Sequence, residues 1–293
     1  MLKLACIPAF NEEKAIGEVI KKALMYVDEV AVCDDGSTDN TSDIAKRVGA
    51  YVIKHDKNFG KGQAIRSLFE YAKKRGADVI VTIDGDGQFK PEEIPKLLSP
   101  IIERNYDIVI GYRFDNDSEM PAYRKVGNKI LDKITNLASE LPFRDTQSGF
   151  RAYSKKAIEV IDFKTKGFSV DGEILIDASN KKLKIAETKV SVLYNLENKT
   201  STKNPISHSI EVTSSLIELL AIKHPLTYLG IPGIILIGIG IIYAIIVLSI
   251  FNDTRYFSVP STLVSFGSLF IGVMLLLMSV VLFSMSKILK RVS

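Results

Sequence analysis

Two carboxylates and an amide follow a short apolar run near residue 80. Asp84, Asp86 and Gln88 stand at alternate positions, separated by Gly85 and Gly87. If the backbone stays extended there, the three side chains share one face. Hard oxygen ligands of this kind suit Mg²⁺ or Mn²⁺ that is shared with a substrate phosphate. The spacing predicts a divalent-metal site, with a simple Asp/Gly turn as the alternative.

Three familiar ligand-binding loops do not match the sequence. An EF-hand loop beginning at Asp84 needs Gly at position 89 and Glu at position 95, where the chain has Phe89 and Pro95. Gly60-Lys61-Gly62 is no dinucleotide fingerprint, because the third glycine position holds Ile65. No Walker A pattern occurs either. A bound pyrophosphate is therefore expected to be held by metal and basic side chains.

The elements around these residues alternate between strand and helix patterns. Strands are expected at 2–7, 29–33, 51–54, 78–83, 107–111 and 184–192, and helices at 11–26, 41–48, 63–75 and from Pro91 onward. Asn11 is the expected N-cap of the first helix. The alternation predicts an α/β fold with a parallel sheet, whose ligands bind beyond the carboxyl ends of the strands.

A second acidic pair supports a site at that position. Asp34 and Asp35 end the strand at 29–33, as Asp84 and Asp86 end the later one. Either pair alone could be a turn, but two pairs at one edge of a sheet favour a binding site. Arg113 follows the fifth strand and lies either near the same edge or in solvent.

Charge and cysteine content argue against nucleic-acid binding and against a disulfide or a cysteine metal site. The chain of 293 residues has a net charge of +4, of which +3 lies in residues 226–293. The rest is nearly neutral, which argues against nucleic-acid binding. Cys6 and Cys33 each fall inside an expected strand, so we expect buried thiols rather than a disulfide or a metal pair.

The C-terminal part of the chain has the composition of a membrane hairpin. Residues 226–251 and 256–286 contain no charged side chain, and each run exceeds the length of about 20 residues that spans a bilayer. Basic residues flank both outer ends, so the positive-inside rule places the N-terminal domain and the C-terminus in the cytoplasm. No N-terminal signal peptide is evident.

Three regions are expected: a domain at 1–203, an amphipathic helix at 204–224 and a hairpin at 225–293, with spans of about 226–251 and 257–285. Another amphipathic pattern covers 121–139, with Lys129 among its basic residues. It is either an ordinary surface helix or one that lies on an anionic membrane surface.

Taken together, the motifs resemble the family 2 glycosyltransferases of the GT-A fold, a Rossmann-like and mainly parallel sheet. Within them, the chain is similar to the polyprenyl-phosphate branch, which includes dolichol-phosphate mannose and glucose synthases. A short C-terminal membrane hairpin also occurs in that branch. The matching motifs are Pro8-Ala9-Phe10-Asn11-Glu12-Glu13, Asp34-Asp35-Gly36-Ser37-Thr38-Asp39, Asp84-Gly85-Asp86-Gly87-Gln88, Gly111-Tyr112-Arg113 and Gln147-Ser148-Gly149-Phe150-Arg151.

The resemblance implies roles for individual residues. Asp86 and Gln88 would ligate Mg²⁺ or Mn²⁺, and Asp84 and Gly85 would lie near the ribose and diphosphate. Arg113 would meet the diphosphate or the lipid phosphate, and Asp145 matches an acceptor-site aspartate. Residues that would hold the nucleotide sugar are Pro8, Phe10, Glu12, Val32, Asp34, Asp84, Gly85, Asp86 and Lys203; Lys129 is a further candidate for the acceptor phosphate.

One departure from the family pattern concerns the donor. The mannose-type enzymes carry R-x-x-G-x-S-K near the end of the domain, whereas this chain has Glu197 at the arginine position and retains only Thr202 and Lys203. This puts diphosphate binding there in doubt and weakens the case for GDP-mannose over UDP-glucose.

The expected reaction is metal-dependent, inverting transfer of a hexose from a nucleotide-diphosphate sugar to a polyprenyl or dolichyl phosphate in the membrane. The product would be a lipid-phosphate sugar donor for glycan or glycoprotein assembly. The alternatives are a membrane polysaccharide synthase, a non-catalytic sugar-nucleotide-binding module and a nucleotidyltransferase. The first is disfavoured, because the chain has two predicted spans and no Trp. The sequence leaves a homo-oligomer open.

Overall fold

The computed structural model describes residues 1–113, 132, 135–136, 139, 141–163, 170–193 and 225–292. Most of the predicted helix at 121–139, including Lys129, and all of the predicted helix at 204–224 lie outside these residues, as does Lys203. Residues 132, 135, 136 and 139 are helical. The chain divides into two compact units, Met1–Thr213 and Ser214–Ser293. The predicted domain limits of 1–203, 204–224 and 225–293 stay predictions.

The described part of the first unit contains seven strands and a series of helices. The strands are β1 Lys3–Ala9, β2 Glu29–Asp34, β3 Tyr51–Lys54, β4 Val79–Thr82, β5 Ile108–Tyr112, β6 Arg151–Ser154 and β7 Ile185–Lys189. The described helices are α1 Ile16–Ala23, α2 Thr41–Arg47, α3 Lys61–Arg75, α4 Ile94–Arg104, α5 Lys155–Val160 and α6 Val170–Asn180, with a 3-10 turn at Pro91–Glu93 before α4.

The strands form one sheet in the order β3-β2-β1-β4-β6-β5-β7. Every pairing is parallel except those of β6, which runs antiparallel to both β4 and β5. The prediction of a mainly parallel α/β sheet is therefore confirmed. The reversed strand brings the segment before Arg151 to the carboxyl ends of β4 and β5. We call the place where β1, β2, β4 and β5 end the carboxyl edge.

The central strands of the sheet are buried on both faces, which explains their continuous apolar character. Alternate residues of β1 enter different cores: Leu4 and Cys6 pack on the side of α3, α5 and α6, while Ala5 and Ile7 pack on the side of α1 and α4. All four residues of β4 are buried. The thiols of Cys6 and Cys33 are buried and free, as expected. These two cores fix the strands whose ends carry the acidic residues.

The prediction that Asn11 caps the first helix is wrong. Helix α1 starts at Ile16, and Asn11 adopts a left-handed conformation with φ of 57°. Its side-chain oxygen instead accepts a hydrogen bond from Thr38 N (2.9 Å), and its own N–H donates to Ser37 Oγ (2.9 Å). Asn11 therefore ties the loop after β1 to the loop after β2.

The described part of the second unit contains two long apolar helices. Helix α7, Ile231–Thr254, follows a π-helical turn at Leu226–Gly230, and α8 covers Val259–Val292. By length and composition, Leu226–Thr254 and Val259–Met285 could each cross a membrane, and only 11% of each apolar window is buried within the protein. A core helix of a soluble protein would be mostly buried, so these surfaces suit a lipid environment.

Small residues let the two helices pack closely. A Cβ on Gly233 would lie 2.9 Å from the carbonyl oxygen of Gly272, and one on Gly272 would lie 2.8 Å from that of Gly233. Ser265 Oγ donates to the carbonyl oxygen of Gly240 at 2.8 Å. Close backbone contact and a buried hydroxyl hydrogen bond are features of helix pairs in membranes.

Candidate active site

Beyond β4, the acidic segment forms a turn instead of continuing as a strand. Residues 85–86 are in a turn and Gly87 has φ of 74°. Asp86 Oδ1 accepts the N–H of Gln88 at 3.0 Å, which closes a local turn. Of the two alternatives that the sequence left open, the turn is therefore present, and the extended segment with Asp84, Asp86 and Gln88 on one face is not. The turn still keeps the three residues at the carboxyl edge.

Burial and neighbouring negative charge raise the pKa of two carboxyl groups at this edge, Asp86 and Glu12. Burial, followed by the charge of Asp84, raises the pKa of Asp86 to about 6, while Lys61 and Arg113 act in the opposite direction. Burial, followed by the charges of Asp86, Asp84 and Asp39, raises the pKa of Glu12 to about 7. The edge thus carries negative charge that the surrounding protein compensates only in part.

Asp86 and Gln88 could hold a divalent cation. A partly buried carboxylate whose ionisation is opposed favours a nearby positive charge, and a side-chain amide oxygen is a second hard ligand. Among the described residues, no three His, Cys, Asp or Glu side chains are grouped as a metal cage. The carboxylate of Asp86 and the amide oxygen of Gln88 fit Mg²⁺ or Mn²⁺, whose remaining coordination positions would be filled by water and by substrate phosphate.

Lys61 is a site residue that we did not predict as such. It is the first residue of α3, and its Nζ lies 2.9 Å from Asp84 Oδ1 and 3.2 Å from Asp171 Oδ2. Desolvation alone would lower the pKa of Lys61, but the carboxylates of Asp171 and Asp84 outweigh it and hold the pKa above its ordinary value. The sequence signal for Lys61 is its position between Gly60 and Gly62, which a dinucleotide fingerprint does not explain.

Gly149 fits closely against the same ion pair. A Cβ there would lie 2.5 Å from Asp84 Oδ2 and 2.7 Å from Lys61 Nζ. The segment is held to β4 by Thr82, whose hydroxyl donates to the carbonyl oxygen of Gly149 at 2.9 Å. The glycine of the Gln147–Arg151 motif therefore serves to leave room for the Lys61–Asp84 pair.

Arg113 and Asp145 form the second ion pair of the edge. Arg113 Nε and Nη2 donate to the two carboxylate oxygens of Asp145 at 2.7 and 2.9 Å, and Arg113 N donates to Oδ2 at 3.1 Å. Asp145 is fully buried, and the Arg113 side chain is 14% exposed. The structure thus brings together two residues predicted from separate motifs, in a geometry where the carboxylate orients the guanidinium.

Arg151 anchors the segment that carries Asp145. Its fully buried guanidinium donates to the carbonyl oxygens of Thr146, Ser148 and Asp171 at 2.7, 2.8 and 2.7 Å. The first two acceptors lie in the loop before β6, and the third lies in the first turn of α6. One side chain therefore fixes both the Asp145 loop and the backbone of Asp171, the partner of Lys61.

The residues expected to hold the nucleoside fall into two groups. Pro8, Phe10 and Glu12 are partly exposed where β1 ends, and buried Gly85 packs near Pro8. Val32 and Asp34 have no exposed surface. Val32 belongs to the core on the α1 and α4 side, and Asp34 accepts hydrogen bonds from Ser37 N and Ser42 Oγ. A nucleoside contact by Val32 or Asp34 stays a prediction that this geometry does not favour.

The carboxyl edge thus combines partly uncompensated carboxylates with two cations held on neighbouring segments. Such an arrangement suits a substrate that brings phosphate groups and a divalent ion into the same place.

Two of the proteins that are similar to this chain are named as sugar transferases. A Methanococcus voltae protein named UDP-N-acetylglucosamine–dolichyl-phosphate N-acetylglucosaminyltransferase is 36% identical over 211 residues, which cover 64% of this chain and 84% of that protein. A Haloferax volcanii protein named dolichyl-phosphate hexose transferase is 33% identical over 184 residues, 62% of this chain and 78% of that one.

The fold also matches a solved structure. The glucosyl-3-phosphoglycerate synthase of Mycobacterium tuberculosis, in complex with Mn²⁺, uridine diphosphate and glucosyl-3-phosphoglycerate, superimposes with a TM-score of 0.58. The match covers 74% of this chain and 79% of that one at 22% identity, which shows a shared GT-A fold. The sequence profile described as glycosyl transferase family 2 matches residues 5–162, more than half of the chain. The chain therefore belongs to glycosyl transferase family 2.

Proposed function

We propose that this protein transfers a hexose from a nucleotide-diphosphate sugar to a polyprenyl or dolichyl phosphate in a membrane, with inversion at the anomeric carbon. The observation that carries the proposal is the juxtaposition of Asp84 and Asp86 with Lys61 and Arg113 at the carboxyl edge. The product would be a lipid-phosphate sugar for glycan or glycoprotein assembly.

The lipid acceptor is supported by two independent features. The relatives from Methanococcus voltae and Haloferax volcanii are both named as dolichyl-phosphate sugar transferases. In addition, the chain carries two helices that are long and apolar enough to cross a membrane. A protein held at a bilayer would meet a phosphate that emerges from it. We further propose that the protein spans the membrane more than once, with its catalytic domain and its C-terminus in the cytoplasm.

The donor diphosphate would be bound at the acidic turn after β4. A divalent ion held by Asp86 and Gln88 would supply charge neutralisation for the departing nucleoside diphosphate. Lys61 would exchange part of its contact with Asp84 for an oxygen of the diphosphate, since an ammonium group on a flexible stem rotates readily between acceptors. Pro8, Phe10 and Glu12 line the place where the nucleoside would lie.

The acceptor phosphate would approach from the side of Arg113. Its guanidinium is oriented by Asp145 and would meet a phosphate oxygen, with Lys129 and Lys203 as further candidates for phosphate contacts. A phosphate monoester has a second pKa of about 6 and is largely ionised at neutral pH, so it needs positioning more than deprotonation. Asp145 therefore orients Arg113 and removes no proton in this scheme.

The test uses the full-length protein in lipid that contains a polyprenyl phosphate. Radiolabelled UDP-glucose, UDP-N-acetylglucosamine and GDP-mannose are supplied one at a time, with Mg²⁺ or Mn²⁺ and then with EDTA. We expect label to enter the lipid phase from one donor, and to be lost with EDTA and with Asp86→Ala. Asp43→Ala, at an exposed position of α2, is the matched control and should retain transfer.

Three results would decide against the proposal or part of it. Nucleotide binding without labelled lipid from any donor would sink the lipid acceptor and favour a binding module. Full transfer by Asp86→Ala in the presence of EDTA would eliminate the metal site. Release of inorganic pyrophosphate in place of a nucleoside diphosphate would indicate a nucleotidyltransferase.

A further inference from the structure

We infer that Asp35 and His55 are positioning residues that hold the loop at 55–60 so that Lys61 reaches the donor diphosphate. This inference rests on the proposed function and assigns a task to two side chains that the reaction itself does not use. Asp35 and His55 lie near the carboxyl ends of β2 and β3, and Lys61 follows their loop directly.

Asp35 gathers three donors from this loop. Its Oδ1 accepts the N–H of Phe59 at 3.1 Å and lies 2.6 Å from His55 Nδ1, while its Oδ2 accepts the N–H of Gly60 at 2.7 Å. The side chain is only 5% exposed. A buried carboxylate with several charge-assisted hydrogen bonds is a strong constraint on the backbone that it contacts.

This arrangement changes how an anion can be bound at the start of α3. A glycine-rich turn before a helix often binds phosphate through its free N–H groups. Here the N–H groups of Phe59 and Gly60 already donate to Asp35 and are not available for a ligand. The Lys61 side chain would therefore supply positive charge to a diphosphate in addition to a divalent ion at Asp86 and Gln88, and its reach depends on where the loop places its backbone.

His55 links the same carboxylate to α3. Its Nε2 lies 2.9 Å from Ser67 Oγ, and Ser67 belongs to the helix that Lys61 begins. The imidazole is 11% exposed and so is largely shielded from water. Asp35, His55 and Ser67 are connected in the order acid, histidine and serine, as in the catalytic triad of a hydrolase. The oxygens of Asp35, however, also accept N–H groups of the loop, which a positioning role explains.

A backbone contact closes the arrangement. Gly36 has φ of 77°, and a Cβ there would lie 2.5 Å from the carbonyl carbon of Lys57 and 2.7 Å from Asn58 N. The loop after β2 and the loop before α3 thus touch without room for a side chain. Together with Asp35 and His55, this contact leaves the backbone before Lys61 little freedom.

The experiment measures nucleotide affinity of the full-length protein by calorimetry, with UDP, GDP, uridine and guanosine as probes. Asp35→Asn keeps one acceptor oxygen but places an NH₂ group where donors now point, so the loop should shift. We expect Asp35→Asn and Lys61→Met each to weaken binding of the preferred diphosphate about 10-fold. Nucleoside affinity should be unchanged in both variants.

The double variant separates positioning from general damage. If Asp35 acts through Lys61, Asp35→Asn in the Lys61→Met background should cause no further loss of diphosphate affinity, because coupled residues are non-additive. His55→Asn retains a donor near the position of Nδ1 and should bind the diphosphate like the wild type, whereas His55→Ala should not.

Additive losses in the double variant, an unaffected Lys61→Met, or equal loss of nucleoside affinity would each overturn the inference while leaving the proposed function intact. Wild-type protein that binds neither UDP nor GDP would overturn the proposed function and the inference with it.

Discussion

Lys61 and Arg113 both bring positive charge to the carboxyl edge, but the protein holds them differently. Arg113 makes a two-pronged contact with Asp145, which has no exposed surface. Lys61 makes single contacts with Asp84 and Asp171, and its side chain is 37% exposed. The arginine is fixed by buried partners, whereas the lysine can exchange partners when a ligand arrives.

This difference separates two tasks that an active site must combine. A group that defines where the acceptor lies benefits from a rigid contact, because preorganisation lowers the cost of binding. A group that compensates charge in the empty site and then contacts the donor must be able to move. We therefore expect substitutions at the Arg113–Asp145 pair to affect stability most, and those around Lys61 to affect transfer most.

The largest effect on stability is expected for Asp145→Ala. It removes the buried carboxylate that orients Arg113, and breaking such a pair costs roughly 3–5 kcal/mol. Asp162→Ala is the control, because Asp162 pairs with Arg66 at 3.3 Å but is 82% exposed, and a surface pair contributes about 1 kcal/mol or less. Chemical unfolding of the full-length protein measures both. Equal losses in the two variants would contradict the buried-pair interpretation.

Lys61→Met should give the largest loss of transfer for the smallest loss of stability. Charge-assisted hydrogen bonds contribute about 1.5–3 kcal/mol, so kcat/KM for the donor should fall roughly 10- to 100-fold. The melting temperature should change less than in Asp145→Ala. Steady-state kinetics with varied donor concentration tests this. A variant that unfolds as readily as Asp145→Ala would place Lys61 with the rigid pair.

Alanine substitutions at Gly149 and Gly111 also separate a loss of transfer from a loss of stability. In Gly149→Ala the new methyl group meets the ends of Asp84 and Lys61, which can shift, so transfer should fall several-fold with little loss of stability. In Gly111→Ala it would lie 2.9 Å from Val190 Cγ1 and 3.0 Å from the carbonyl oxygen of Phe150. Overpacking of this kind costs about 1–3 kcal/mol. Thermal melts and transfer assays on both variants should show opposite patterns.

A further expected effect is a change of stability with pH in the presence of EDTA. The pKa values of Asp86 and Glu12 are raised from 3.8 and 4.5 to about 6 and about 7. Between these values the folded state binds more protons than the unfolded state, so stability falls as pH rises from about 4 to about 7. The raised pKa of Lys61 leaves it charged throughout this range.

Glu12→Gln should make the decline with pH shallower. Melting temperatures taken in half-unit steps of pH measure the slope, with Glu18→Gln at an exposed position as the control. An unchanged slope in Glu12→Gln would mean that Glu12 titrates normally in the folded protein.

The sequence predicted most of the scaffold because the signals are local. The limits of β3 are as expected, those of β2, β4 and β5 differ by a residue or two, and Gly49 and Gly76 follow α2 and α3 closely. These limits depend on short apolar runs and on glycines that stop helices. The turn after β4 was predicted only as an alternative to an extended segment, because the residue spacing does not reveal that Gly87 adopts a left-handed conformation.

The parts that were not predicted depend on contacts between distant segments. Lys61 and Asp171 lie 110 positions apart, and only the packing of α3 and α6 on one face of the sheet brings them together. The direction of β6 is likewise not encoded in Arg151-Ala152-Tyr153-Ser154, since a four-residue strand reads alike in either sense. Asn11 does not cap α1, because it forms hydrogen bonds with Ser37 and Thr38 instead.

The antiparallel pairing of β4 with β6 determines the distance between the segment that follows β4 and the segment that precedes β6. The chain leaves β4 towards Asp84 and enters β6 from Asp145, so both segments project beyond the same end of one hydrogen-bonded ladder that pairs Thr82 with Arg151. Sliding that ladder by one residue would displace one segment from the other by about 3.4 Å and turn every side chain to the opposite face. The distance between the Asp84 segment and the Asp145 segment can therefore change only by whole residues of strand register.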